Sequence, residues 1–196
     1  MRAYCRRCDA AVEATGAWPG RCAACGAPIE AHPVPDVVRP GLRALLVGIN
    51  PGVQTARARL HFANPRNAFW GALHAAGLTP RRIAPAEQAR LLDLGLGITN
   101  VVTRATPGSA DVTPQDVARG RARLRGLVAA QAPAWVAFVG KEAHRMATGA
   151  RGAALGEAEP LWGARVFVLP STSPRNAHLT EPEKVAWFGR LRDALA

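Results

Sequence analysis

Leu42-Arg43-Ala44-Leu45-Leu46-Val47-Gly48-Ile49-Asn50-Pro51-Gly52 decides how the rest of the chain is read. Residues 42–47 form a short, mainly apolar run closed by Gly48, which predicts a strand buried on both faces. Behind it, the Asn-Pro-Gly turn sets proline's fixed φ beside a glycine that accepts any backbone angle, so the chain turns at the strand's carboxyl end. The same signature recurs further along. Strands are predicted at residues 98–102, 135–139 and 165–169, and helices over 67–76, 85–94, 141–147 and 181–195. Thr113-Pro114-Gln115-Asp116 marks another helix start, with Val117, Leu124 and Val128 as its apolar stripe. Alternating strands and helices predict an α/β fold, three-layer α/β/α around a mostly parallel central sheet. Ligands bind such sheets beyond the carboxyl ends of the strands. That selects three loops: 48–67, 97–104 and 170–179.

All four cysteines precede this fold, as Cys5-Arg6-Arg7-Cys8 and Cys22-Ala23-Ala24-Cys25. Two CxxC pairs with 13 residues between them can turn four thiolates onto one ion in a closed tetrahedral site. The spacing predicts a zinc ribbon over residues 1–30, with Cys5, Cys8, Cys22 and Cys25 holding one structural zinc. Two disulfides and a redox CxxC motif are the alternatives. The first needs an oxidising compartment; the second needs only one pair, opening a helix. About 30 residues cannot hold a core unaided, so the metal would supply the folding energy. Residues 31–39, with Pro33 and Pro35, read as a stiff linker. Residues 40–196 then form the α/β domain.

The chain has 196 residues, 48% of them hydrophobic, enough for one ordinary core plus a small appendage. No apolar run approaches the ~18 residues of a membrane span. The expectation is a monomer of the bacterial cytoplasm, nucleoid-associated and without membrane contact. Lys and Arg number 25 against 14 Asp and Glu, a formal net charge of +11, of which residues 1–30 carry only +1. Such a field suits a polyanionic partner, but it is a footprint and not a site.

The loops carry the specific signal. Gly48-Ile49-Asn50-Pro51-Gly52 follows the first strand, and Asn64-Pro65-Arg66-Asn67-Ala68-Phe69-Trp70 begins 14 residues beyond Asn50. Together with Gly97-Ile98-Thr99-Asn100 and Val139-Gly140-Lys141, this pattern resembles the mismatch-specific uracil/thymine DNA glycosylase family, from about residue 40 to the C-terminus. The resemblance implies a base-excision repair hydrolase. Its partner would be double-stranded DNA containing uracil, or thymine or a damaged pyrimidine, mispaired with guanine; catalysis would need no cofactor.

Hydrolysis of an N-glycosidic bond develops positive charge on the sugar and negative charge on the departing base. The resemblance implies that Asn50 orients the attacking water, that Ile49 lies in the base pocket, and that Phe62 stacks on the extruded base. A core role for Phe62 is the alternative. It further implies that Asn100 reads the pyrimidine's O4 and N3 edge, where the alternative is an ordinary strand-end asparagine. Asn67 reads equally as a helix cap or a DNA contact. His61 reads as a surface residue or a hydrogen-bond donor at the pocket mouth, and Asp93, at a helix end, as structural, while being the nearest acid if one assists the water. In the last loop Arg175 is the expected wedge for the gap left in the stack, its flat guanidinium suited to the widowed guanine. Ser171 and Ser173 would hold phosphate, as would Lys141 at a helix start, with Arg57 and Arg59 as a further clamp. Arg119, Arg121, Arg123 and Arg125 scatter around their helix and read as solvated surface.

Overall fold

The structure, a computed structural model, describes residues 34–176 and 178–196, together with residues 24–26 and the backbone of residues 2–5, 10–15 and 21–22. At the N-terminus, β1 (Arg2–Cys5), β2 (Ala10–Thr15) and β3 (Arg21–Cys22) form a small antiparallel sheet in the order β1-β2-β3. Cys8 and the side chains of Cys5 and Cys22 lie outside the described residues.

The main sheet has β4 (Ala44–Gly48), β5 (Leu96–Asn100), β6 (Trp135–Val139), β7 (Gly156–Leu161) and β8 (Ala164–Leu169), in the order β5-β4-β6-β8-β7. The first four of that order run parallel, and β7 closes the edge antiparallel to β8. The expected three-layer arrangement follows from alternation within the strands. Ala44, Leu46, Trp135, Ala137, Phe167 and Leu169 face α2 (Phe69–Ala75), α5 (Glu181–Ala194) and the segment Pro85–Leu94. On the other face Leu45, Val47, Val136, Phe138, Val166 and Val168 meet α3 (Pro114–Gln131) and α4 (Lys141–Thr148). Every residue of β4, β5 and β6 is buried, as strands covered on both sides require.

Three expectations change. Pro85–Leu94 is a 3-10 helix, not an α-helix. A short α1 (Val53–Ala58) occupies what reads as loop. Residues 34–37 also belong to the domain, because Val34 and Val37 are buried and Val37 exchanges two 2.9 Å backbone hydrogen bonds with Ile98. Asp36 accepts from Thr99 Oγ1 at 2.5 Å and from Arg123 at 2.7 Å, fastening this segment to β5 and α3.

Not all the arginines of α3 are solvated surface. Arg123 also donates to the Asn100 carbonyl at 2.5 Å, Arg121 donates to Met146 O of α4, and Arg119 pairs with Asp116. Arg119 and Arg125, both exposed, still match the simple expectation. At the start of α3, Thr113 and Asp116 form a capping box, which satisfies two otherwise unpaired N–H groups. Gly120 lets α3 approach the Val101 carbonyl so closely that a Cβ there would overlap it.

Candidate active site

A cleft of about 1140 Å³ opens at the carboxyl ends of β4, β5, β6 and β8. All three loops selected from sequence contribute walls. Two further segments join them: residues 106–109, and the turn from β6 into α4. β4 pairs with β5 on one side and β6 on the other, so the cleft spans the point where the strand order reverses.

Asn50 lines this cleft with its amide orientation fixed. Its Nδ2 donates to Thr106 Oγ1 at 2.7 Å and to the Pro51 carbonyl at 3.1 Å. Thr106 Oγ1 in turn donates its proton to the Gly108 carbonyl at 2.5 Å, so toward Asn50 it can only accept. The nitrogen must therefore face Thr106, and the Asn50 oxygen is left as an acceptor. Thr106 is buried and 56 positions away in sequence, and sequence reading missed it. Among the residues lining the cleft the carboxylate is Glu142, and Arg145 pairs with it. Asp93 is exposed and away from the cleft, which removes it as the acid assisting water.

Phe62 lines the cleft and stacks on Phe69, with ring centroids 3.8 Å apart and planes 14° from parallel. Phe69 is wholly buried, and Trp70 packs against it edge-on. The core thus backs one face of the Phe62 ring, a rigid platform for a planar group on the other. Its backbone sits at φ 51°, an unusual angle for a bulky residue and one that costs energy unless the surroundings enforce it.

Asn100 ends β5 directly opposite Gly48 at the end of β4. A Cβ on Gly48 would overlap Asn100 Oδ1 and come within 3.2 Å of Phe62 Cζ. Absence of that one carbon lets the asparagine oxygen and the aromatic ring converge. Ile49 lines the same wall, half-buried. His61 is buried, contrary to the surface reading: its Nε2 lies 3.0 Å from Pro35 O and its Nδ1 lies 3.4 Å from Asn100 Nδ2. Burial pushes its pKa down from the ordinary histidine value, the opposing pull of the Pro35 carbonyl and Asp36 notwithstanding.

Ser171, Ser173 and Arg175 line the opposite wall, where the last loop leaves β8. Ser171 Oγ accepts from Ser173 N, and Ser173 Oγ from Arg175 N, both at 3.3 Å, so the hydroxyls shape the loop as well as facing the cleft. Arg175 is exposed and donates to the Pro107 carbonyl at 2.9 Å, folded across Gly108 at the cleft mouth. Thr172, beside them, is buried and its hydroxyl lacks a hydrogen-bond partner. Lys141 begins α4 at the cleft, where a helix start favours an anion. Arg57 and Arg59, at the end of α1, are exposed and do not line the cleft; Arg59 is the left-handed cap of that helix. Arg66 and Arg145 stand at the cleft instead. Asn67 Oδ1 accepts from Phe69 N at 3.0 Å at the start of α2, although the residue stands one position before the cap, Ala68, and Asn67 also lines the cleft.

Comparison with known proteins gives a fold and a family. The fold resembles the solution NMR structure of a candidate uracil DNA glycosylase from Methanosarcina acetivorans, with a TM-score of 0.55 and 22% identity over 83% of this chain and 98% of that one. The family profile described as Uracil DNA glycosylase superfamily matches residues 35–196, beginning inside the segment that the structure attaches to β5. The chain belongs to the uracil DNA glycosylase superfamily.

Proposed function

We propose that the protein is a monofunctional mismatch-specific glycosylase, which extrudes uracil mispaired with guanine from double-stranded DNA and hydrolyses its N-glycosidic bond. Thymine and damaged pyrimidines mispaired with guanine are further candidate bases. The observation that carries this reading is the pair formed by a fixed asparagine amide and a core-backed aromatic face in one cleft.

The Asn50 oxygen accepts one proton of a water and points the water's lone pair at the sugar C1′. As the C1′–N1 bond breaks, its electron pair leaves with the base; the water oxygen bonds C1′, and the water's proton passes to solvent or base. A neutral amide cannot take that proton, so the reaction forgoes much of the general-base factor of roughly 10²–10⁴ and is slow. Phe62 supplies the stacking face, Ile49 the adjoining wall, and Asn100 hydrogen bonds to the base edge. Lys141, Ser171 and Ser173 hold backbone phosphates, and Arg175 swings from Pro107 to fill the gap beside the widowed guanine. The water route needs no amine nucleophile, so strand cleavage by lyase chemistry is not expected.

At the N-terminus the backbone register favours the zinc ribbon. β1 and β3 both run antiparallel to β2, so the chain leaving Cys22 heads toward the end of the sheet where β1 finishes at Cys5. Cys5, Cys8, Cys22 and Cys25 would hold one structural zinc there, with no part in the hydrolysis. The working state is a monomer in the cytoplasm.

Incubation of a 5′-labelled U:G duplex, followed by alkali, tests the function. Cleavage at uracil that Asn50→Ala abolishes supports it. Tight binding without cleavage in either protein would point to a DNA-binding adaptor, and faster release from single strands than from U:G would contradict mismatch specificity.

A further inference from the structure

We propose that His61 is a positioning residue that locks the Asn100 amide in the orientation that accepts uracil and refuses cytosine, an inference resting on the glycosylase function above. The two pyrimidines present opposite edges: uracil offers an N3–H donor and an O4 acceptor, cytosine an N3 acceptor and an N4 donor. An asparagine amide matches either one, depending only on which way it is turned. Selectivity therefore requires something that forbids rotation of the amide.

The ring of His61 supplies that constraint through a chain of single-role groups. The Pro35 carbonyl can only accept, so the Nε2 atom 3.0 Å away must carry a proton. Burial keeps the ring neutral, which leaves Nδ1 as a bare acceptor. The Asn100 atom 3.4 Å from Nδ1 must then be the amide nitrogen. Its oxygen is turned to Gly48, where the missing Cβ makes room. With the amide so held, the oxygen serves N3–H of uracil, and the second Nδ2 proton remains for O4. Turning it to suit cytosine would set the Asn100 oxygen against the Nδ1 lone pair in a buried site. The Asn100 backbone cannot shift to relieve this, being paired to β4 and held by Arg123. Residues 34–37 thus do more than tether the N-terminus: Pro35 dictates the histidine tautomer.

The test compares uracil release from U:G with cytosine release from C:G, in the wild type, His61→Leu and His61→Asn. Leucine fills the space without an acceptor; asparagine can return an oxygen near the Nδ1 position. The preference for uracil over cytosine is expected to fall about 10- to 100-fold in His61→Leu, the scale of one bidentate base contact, and to recover in part in His61→Asn. A His61→Leu protein that retains the full preference would overturn the lock while leaving the glycosylase function intact. No uracil release by the wild type would overturn that function, and the selectivity built on it. Should His61→Leu not fold, long-range ¹H–¹⁵N correlation on the wild type decides the matter: a single Nε2–H tautomer is expected, and an Nδ1–H tautomer would refute the lock.

Discussion

Gly48→Ala adds one methyl group at the point where Asn100 and Phe62, the two residues proposed to contact the base, meet. Gly48 has an ordinary negative φ, so alanine is compatible with the backbone, and the loss of chain entropy in the unfolded state favours the variant by about 0.4–1 kcal/mol. Against this, the new Cβ overlaps Asn100 Oδ1 and lies 3.2 Å from Phe62 Cζ, atoms that β5 pairing and the Phe69 stack hold in place. Overpacking of this kind costs about 1–3 kcal/mol. The net destabilisation is then at most about 2.6 kcal/mol and centred near 1 kcal/mol, a fall of up to roughly 10 °C in Tm for a domain of this size. Activity suffers more, because a shift approaching 1 Å in positioning groups costs about 10²-fold. Single-turnover uracil release from a U:G duplex, measured beside a thermal melt, separates the two effects. A Gly48→Ala protein that melts a few degrees lower but releases uracil at the wild-type rate would refute the convergence of Asn100 and Phe62 on the base.

Thr106→Val removes the acceptor that orients Asn50; the uracil release rate should fall about two- to tenfold, the worth of one neutral hydrogen bond, with duplex affinity in a gel-shift assay unchanged. Asp116 accepts from Arg104 at 2.6 Å and from Thr113, contacts that hold its carboxyl well below the usual carboxylate range. Its contribution is present above the unfolded-state value near 4 and is lost as pH falls toward the lower folded one, so the wild type should lose stability below about pH 4. In Asp116→Ala, which should be about 2–4 kcal/mol less stable in urea at pH 7, that acid-dependent loss should be smaller. The His61 pKa is lowered by burial, with Asp36 opposing and Arg123 adding to the shift. Uracil release should therefore hold steady near neutral pH and drop only as pH falls through this lowered value, when protonated Nδ1 turns the Asn100 amide. His61→Asn should lack that drop in a pH–rate profile. Arg175→Ala should slow release from U:G duplexes more than from single strands, and equal losses on both would remove it as the wedge.

Much of the framework is visible from local pattern. β4, β6 and residues 166–169 of β8 are continuous apolar runs because both faces are covered, and α3 carries Thr113, Pro114 and Asp116 at its start. β7 is not visible in that way: Gly-Glu-Ala-Glu-Pro-Leu has acidic residues and a proline, which only an edge strand tolerates. α1 has no side-chain cap and six residues, too few to show a periodicity. Pro33-Val34-Pro35 has linker composition, yet burial of Val34 and Val37 decides otherwise, and that depends on where Ile98 lies. In the cleft, Asn50, Phe62 and Asn100 stand out through short motifs on single loops. Thr106 and His61 do not, because their roles depend on partners 56 and 39 positions away. Arg57 and Arg59 lie near Asn50 in sequence yet outside the cleft lining, which proximity along the chain alone does not reveal.

Whether the Asn50 amide takes part in the hydrolysis is decided by the single-turnover rate of uracil release from a U:G duplex, measured for the wild type and for Asn50→Ala. The wild type should release uracil slowly but completely, and loss of the amide proposed to orient the water should lower the rate by about 10², the scale of lost positioning, with duplex binding retained. An unchanged rate in Asn50→Ala would contradict the role of that amide in the chemistry.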